Sequence, residues 1–600
     1  MTSFLKEVIH LSQSEFSMHG AYHYNRSGPV RWLFSHCWRY KYRVACFLLL
    51  SLAGNMLGST ISILTGSAFT AVLQGATNRL ISIVLILLAI AGLNVLMNVG
   101  GNALAALLGQ LIARDARDEL YLGLLGKSQT FHNRQQVGDL MARAANDTDQ
   151  LSALVLPGIL VTFEAFSGFA IALIFVAALN VQLLLVPLLY LACLLMLVRP
   201  YLRQLHPVAE QMREQFGQTN AVLTEAVTGI EVVKATAQEE QELRKFDERA
   251  TRFRNFFVQN GLIEGRYIPI LLLGIFLVFA FLHGLYLLSQ GQISPGTLIS
   301  FMTLIGILNY VTEVPLYGFS LIQAGVAGAR RILDILLAET ELDENEQGYQ
   351  AIMHGDVSFE RVTFRYGDEP ALKHISFHAR PGQTIAIVGQ TGSGKSTLTK
   401  LINRIYDASE GRIMIDCMDV REWKLDALRA QISTIEQDIF LFSRTIAENI
   451  AYGLGEKADR TAIEAAARDA QAHNFIMNFK DGYETLIGER GVTLSGGQRQ
   501  RIAIARALLT DPRILILDDA TSAIDSATED EIQQAIQRVL QGRTTFLITH
   551  RLSQIRRADY ILIMQEGELL DQGTHHELLQ RCEIYRRMFS HYDTVITTNS

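Results

Sequence analysis

Three short stretches carry residue types suited to phosphate chemistry. GQTGSGKS, 389–396, follows the apolar run TIAIV and precedes an apolar helical pattern. This is GxxxxGK[ST] between a strand and a helix, the setting of a P-loop. Backbone N–H groups of such a loop close around phosphates at a helix N-terminus. Gly389, Gln390, Thr391, Gly392, Ser393, Gly394, Lys395, Ser396 and Thr397 are therefore candidate ATP-binding residues. Lys395 is expected to reach the β and γ phosphates and Ser396 to ligate Mg²⁺. In ILILDDATSAID, 514–525, an apolar strand pattern delivers two adjacent acids, Asp518 and Asp519. LSGGQ, 494–498, opens the Arg-rich helical stretch RQRIAIARAL, so Leu494, Ser495, Gly496, Gly497 and Gln498 offer a second anion site at a helix start. One nucleotide cannot easily use two such sites on one chain. The second is better explained as serving ATP held by a different subunit.

The elements that must position these residues fall in two halves. Of the 600 residues 49% are hydrophobic, too many for an ordinary soluble protein, and 19% are charged, too many for a purely membrane one. One half in lipid and one in water fits both figures. Apolar runs long enough to span about 30 Å of hydrocarbon occur near 44–73, 81–112, 151–179, 181–199, 267–289 and 297–325. Arg and Lys crowd the segment before the first run and the connections 113–150 and 200–266, whereas the opposite loops hold almost only Arg79. The positive-inside rule then puts both termini and both long connections in the cytosol. The five scattered cysteines suit a reducing face. The net charge of −7 gives no reason to propose nucleic acid as a partner. The acidic stretch ETELDENEQGYQ, 339–350, reads as a linker, and short β-rich runs alternate with helical patterns from about 354 onward. The expected organisation is a cytosolic tail (1–30), an all-α membrane domain of six helices (31–338), a linker (339–353) and an α/β P-loop domain (354–600).

On these motifs the chain resembles the ATP-binding-cassette exporters, in particular half-transporters with six membrane helices and one nucleotide-binding domain. The resemblance covers about residues 31–585. It implies a dimer in which the P-loop of one subunit and the LSGGQ of the other sandwich ATP. Residue by residue, Tyr366 in FRYG looks like the aromatic that stacks on adenine, and Gln437 in EQDIFLF like the glutamine that senses Mg²⁺. Asp518 is similar to the Walker B metal carboxylate, Asp525 to the D-loop residue and His550 in LITHR to the switch histidine at the γ-phosphate. Glu489-Arg490-Gly491 resembles the segment that touches the partner's intracellular loop. Stretches 131–151 and 224–246 look like coupling segments, with Gly138 and Gly229 as candidate helix breaks.

One position departs from the family, whose usual Glu after the Walker B Asp orients or deprotonates the attacking water. Asp519 stands there, and losing one methylene withdraws the carboxylate by roughly 1–1.5 Å. A misplacement of ~1 Å can cost on the order of 100-fold in rate, or about 2.7 kcal/mol of barrier. ATP binding should survive where hydrolysis slows. This resembles one half of a heterodimeric exporter. The intact LSGGQ agrees with that, while His550 favours a working homodimer; the heterodimer is preferred.

In the membrane half, Asn94, Asn98 and Asn102 recur on one face of the second span, Asn309 and Glu313 on the sixth, and Glu164 interrupts the third. Ionisable groups at this depth face a water-filled cavity or a partner, and asparagines there more often join helices by hydrogen bonds. Glu164, Glu313, Asn94 and Asn98 are the candidate cavity residues. The expected function is ATP-driven export or flipping of an amphipathic drug, lipid, glycolipid or peptide at a bacterial inner membrane. A non-pumping ATP-gated regulator or channel is the alternative.

Overall fold

The structure, a computed structural model, describes residues 14–587 apart from 17, 19, 21, 267, 489, 490 and 519–533. The side chains of 206, 268–271, 308–316 and 456 also lie outside the described set. Two compact units divide the chain. One is Tyr22–Tyr121 with Val137–Leu337; the other joins the described part of 1–21, Leu122–Gln136 and the chain from Ala338 on.

The first unit is helical. After α1 (Pro29–Arg39) come α2 (Lys41–Leu73) and α3 (Thr77–Leu125). The short α4 (Gln129–Arg134), which belongs to the other unit, interrupts the series before α5 (Val137–Ala142), α6 (Thr148–Ala153) and α7 (Leu160–Leu179). The long α8 (Leu185–Thr228), α9 (Ile230–Thr236) and α10 (Glu239–Gly265) follow, then α11 (Ile268–Ser289), α12 (Pro295–Ile305) and α13 (Ile307–Leu337). Five helical stretches among the described residues are long and apolar enough to cross a membrane. The expected sixth span falls on α12 and α13, which are divided at Gly306. The 49 residues of α3 reach about 73 Å at about 1.5 Å per residue, more than twice the hydrocarbon thickness.

Small residues let these helices approach. A Cβ on Gly66 of α2 would collide with the Gly296 carbonyl and the Ser300 hydroxyl of α12. Lipid gives helices little hydrophobic reason to associate, so such close backbone packing carries much of the contact. Polar pins add to it. Buried Glu119 of α3 accepts from Arg26 Nε and Trp32 Nε1, both at 2.8 Å, and lies 3.2 Å from His36 Nε2, which fixes α1. Arg331 of α13 donates both Nε and Nη2 to buried Asp147.

The expected helix breaks are half right. Gly229 separates α8 from α9, with Ala237 in the left-handed region (φ +52°) ending α9. Gly138 instead lies inside α5, and the chain breaks at Gln135–Gln136. A glycine permits a break but does not require one.

In the second unit β1 (Val357–Tyr366) lies between β2 (Glu369–Ala379) and β4 (Glu410–Ile415), all antiparallel, with β5 (Met418–Asp419) at the edge. The main sheet has the order β10-β9-β3-β8-β7-β6. It comprises β3 (Thr384–Gly389), β6 (Ile432–Ile435), β7 (Ile514–Asp518), β8 (Thr544–Ile548), β9 (Tyr560–Gln565) and β10 (Glu568–Gly573). Its members are parallel except β10. The residues of β8 are all buried, the near-continuous apolar pattern of a parallel strand covered on both faces. Helix α14 (Lys395–Ile402) follows β3, α15 (Leu425–Arg429) precedes β6, and α16 (Gly496–Leu509) precedes β7. In the acidic stretch after Ala338, Thr340 and Leu342 are buried while most of its other residues are exposed.

Candidate active site

Register brings the chemical residues to one edge of the main sheet. Ile387 of β3 and Asp518 of β7 both pair with Ile548 of β8, and Ile435 of β6 pairs with Leu517. The C-terminal ends of four neighbouring parallel strands are thus nearly level. Just beyond them come the loop from Gly389, His550 two residues past Ile548, half-buried Asp518 itself, and Gln437 two residues past Ile435. Open α/β sheets bind ligands at this edge.

The loop between β3 and α14 is shaped by glycine. Gly394 has φ +97° and Gly392 φ +84°, in the left-handed region. A Cβ on Gly389 would collide with the Met564 carbonyl, and one on Gly394 would stand 2.7 Å from Leu372 Cδ2 and 2.8 Å from the Ala371 carbonyl. No side chain caps the N-terminus of α14. Ser393 Oγ is buried inside the loop with no hydrogen-bond partner among the described residues. Lys395 Nζ folds back to donate to the Gly389 and Gln390 carbonyls at 2.9 and 2.8 Å. Open N–H groups, an orphaned hydroxyl and a lysine ammonium folded over the loop are the donor set that phosphate requires. Ser396 opens the first turn of α14, and with the Asp518 carboxylate it supplies the hard oxygens that suit Mg²⁺.

Tyr366, 43% exposed at the end of β1, packs edge-on against Phe364 and Tyr406 with ring centroids 4.8 and 5.5 Å apart. Its hydroxyl lies 3.5 Å from Thr397 Oγ1. The half-exposed ring lies beside the loop. Tyr406 accepts from Asn133 Nδ2 at 2.8 Å, and burial raises its pKa above the ordinary tyrosine value, keeping it a neutral hydroxyl. No motif marks Tyr406, because a tyrosine after an apolar helix reads as core.

The LSGGQ stretch is arranged differently. Ser495 caps α16: its hydroxyl accepts from the Gln498 N–H at 3.3 Å, while Gln498 Oε1 accepts from the Ser495 N–H at 2.9 Å. Leu494 and Gly497 are buried, and Gly496 begins the helix. Asp519, Asp525, Glu489 and Arg490 lie outside the described residues.

Of the cavity candidates, Asn94 donates to the Gly54 carbonyl of α2 at 2.7 Å and Asn98 donates to Asn94 at 2.9 Å. These two join α3 to α2. Glu164 is half-buried on α7, and no described side chain pairs with its carboxylate; its carbonyl accepts from Asn55. Asn309 and Glu313 are on α13, with side chains outside the described set.

Residues 372–522 match the ABC transporter family, and residues 44–311 match the ABC transporter transmembrane region. Over 480 residues the chain is 37% identical to the uncharacterized ABC transporter ATP-binding protein YknU of Bacillus subtilis, covering 79% of this chain and 82% of that one. The chain belongs to the ABC transporter family. This ABC transporter is also 35% identical over 489 residues to the ATP-dependent lipid A-core flippase of Syntrophus aciditrophicus, covering 81% of each chain. A solved bacterial Atm1-family ABC exporter with ATP bound superposes with a TM-score of 0.77 at 28% identity, over 92% of this chain and 98% of that one. The ABC transporter is therefore a multi-pass membrane protein with a helical membrane domain followed by an ATP-hydrolysing nucleotide domain.

Proposed function

We propose that this ABC transporter flips or exports an amphipathic, lipid-like cargo by alternating access, as one half of a dimer in a bacterial inner membrane with both termini cytosolic. The observation that carries the ATP-driven part is the level set of strand ends beside an uncapped P-loop helix. The similarity to lipid A-core flippases supports a lipid cargo.

In this reading Tyr366 stacks on adenine, and residues 389–397 hold the phosphates, with Lys395 as the mobile cation. Ser396, Gln437 and Asp518 hold Mg²⁺, which when bound offsets phosphate charge. Asp519 accepts the proton of the attacking water, His550 faces the γ-phosphate, and Asp525 touches the opposite subunit. The partner supplies the Leu494–Gln498 surface, and the shorter reach of Asp519 favours a heterodimer. Glu164 and Glu313 face the cargo path.

Asp519 also supports a second reading, an ATP-gated regulator with slow turnover. Reconstitution separates the two. Vesicles of phosphatidylethanolamine and phosphatidylglycerol carrying a fluorescent lipid should show ATP-dependent movement against its gradient. Movement only down the gradient overturns the pump.

A further inference from the structure

Outside the nucleotide site, the N-terminal stretch Ser14–Phe16 makes an unusual set of bonds, all within the nucleotide-containing unit. The Glu15 N–H donates to the Gly126 carbonyl at 2.9 Å, and the Ser14 hydroxyl donates to the same carbonyl at 3.2 Å. Gly126 lies immediately past α3, at the start of the first long connection. The Ser14 carbonyl accepts from the Glu344 N–H at 2.8 Å, on the stretch that leads into the nucleotide domain. Gly126 is shaped for this contact: a Cβ there would collide with Ser14 Oγ and stand 2.9 Å from the Phe16 carbonyl.

The side chain of Glu15 reaches further. Its Oε2 accepts from Arg429 Nη1 at 2.7 Å, and the Glu15 side chain is only 12% exposed. The same guanidinium donates from Nη2 to the Arg404 carbonyl at 2.8 Å and from Nε to the Asn403 carbonyl at 3.4 Å. Asn403 and Arg404 directly follow α14, so Arg429 is a cation over the C-terminal end of the P-loop helix, where the helix dipole favours it. Alone, Arg429 could take many rotamers. A half-buried carboxylate opposite it selects one, and such charge-assisted bonds are the stronger kind.

We infer that Ser14–Phe16 is a clasp holding the first long connection and the 338–345 stretch to the nucleotide domain, with Glu15 as a positioning residue that acts through Arg429 on the far end of the P-loop helix. The clasp lies outside both segments matched to the family. Glu15 touches neither nucleotide nor cargo, so its loss should spare ATP binding and weaken the transmission of membrane signals to turnover.

Hydrogen exchange on the full-length protein tests the clasp directly. Relative to wild type, Glu15→Ala and Gly126→Ala should raise exchange about tenfold across 122–136 and 338–345, with Glu15→Gln, which still accepts one hydrogen bond, in between. The positioning role is tested by ATP turnover. KM for ATP should change less than about twofold, whereas stimulation by phosphatidylethanolamine–phosphatidylglycerol vesicles should fall at least about threefold in Glu15→Ala. Wild-type exchange across 122–136 in both alanine variants overturns the clasp. Raised exchange with wild-type stimulation overturns the positioning role. The exchange result holds whatever the cargo is, so it can fail independently of the flippase reading.

Discussion

Helix α14 starts at Gly394, whose φ of +97° and missing side chain leave the first turn uncapped, while helix α16 starts at Ser495, whose hydroxyl and the Gln498 amide close the first turn on each other. Both starts carry the partial positive charge of aligned peptide dipoles. At α14 the N–H donors are kept for a ligand, and the nearby Lys395 donates to the Gly389 and Gln390 carbonyls. At α16 an anion must compete with a capping box already in place, at a cost of about 1 kcal/mol. The first is an open site within one chain. In the proposed dimer the second faces a nucleotide brought by the other subunit, whose phosphates must compete with the box. The two helix starts together are the arrangement expected of a nucleotide shared between subunits.

The largest effect should come from removing the cation of the open site. Lys395→Ala takes away the P-loop's cation, and a lost donor of this kind costs about 100-fold or more in turnover. ATPase activity and lipid movement should both disappear while the membrane helices still insert. Normal transport by Lys395→Ala would break the comparison, since an open α14 would then have no phosphate role.

Asp519 comes next, because in the proposed mechanism it takes the proton of the attacking water. In a homodimer that relies on it, Asp519→Asn should lower steady-state turnover by about 100-fold, and Asp519→Glu should raise it by restoring reach. In a heterodimer the partner site already turns over, so both changes should be small. Brisk ATPase by the purified chain alone, stopped by Asp519→Asn, would show Asp519 to be a working base and remove the case for an unlike partner.

Tyr366 tests the adenine end of the open site. Base–aromatic stacking is worth about 1–3 kcal/mol, so Tyr366→Ala should raise KM for ATP about tenfold with kcat little changed. Tyr366→Phe should behave as wild type, because it keeps the ring that stacks and the hydroxyl lies 3.5 Å from Thr397 Oγ1, a long contact. Equal losses in both variants would assign the role to the hydroxyl rather than the ring.

How much of this was legible in the sequence varies with the range of the interaction. The P-loop could be read because its glycines, lysine and flanking strand are local, and the parallel strand order then puts Asp518, Gln437 and His550 at the same edge. The six apolar runs were legible from length alone, but not the division of the last at Gly306 or the break at Gln135–Gln136, which tertiary packing decides. Asn94 and Asn98 read more readily as a helix contact than as a cavity, and the Gly54 carbonyl that accepts from Asn94 agrees with that. Contacts across hundreds of residues left no trace in composition. Tyr406 with Asn133 and Glu15 with Arg429 are pairings of ordinary residues that only the fold brings together. In the stretch 339–350 the polar composition gives no hint that Thr340 and Leu342 are buried.

The smallest effect, and the sharpest on the comparison, is expected at Ser495. Ser495→Ala removes the hydroxyl that accepts the Gln498 N–H and should destabilise the start of α16 by about 1 kcal/mol. If α16 serves the chain's own nucleotide, ATP binding to the isolated chain should weaken with it. If it serves the partner's, ATP binding to the chain should be unchanged and only turnover of the assembled dimer should fall, by about fivefold for a loss near 1 kcal/mol. Mixing subunits separates the cases further. A Lys395→Ala subunit cannot hold its own nucleotide but keeps its α16, whereas a Ser495→Ala subunit holds nucleotide and presents a weakened α16. A dimer of one subunit of each type therefore has one intact P-loop facing an intact LSGGQ, and should turn over faster than either variant paired with itself. Mixed dimers no faster than the average of the two variants paired with themselves would mean that each chain uses its own LSGGQ, and the capped helix start would be a structural cap and nothing more.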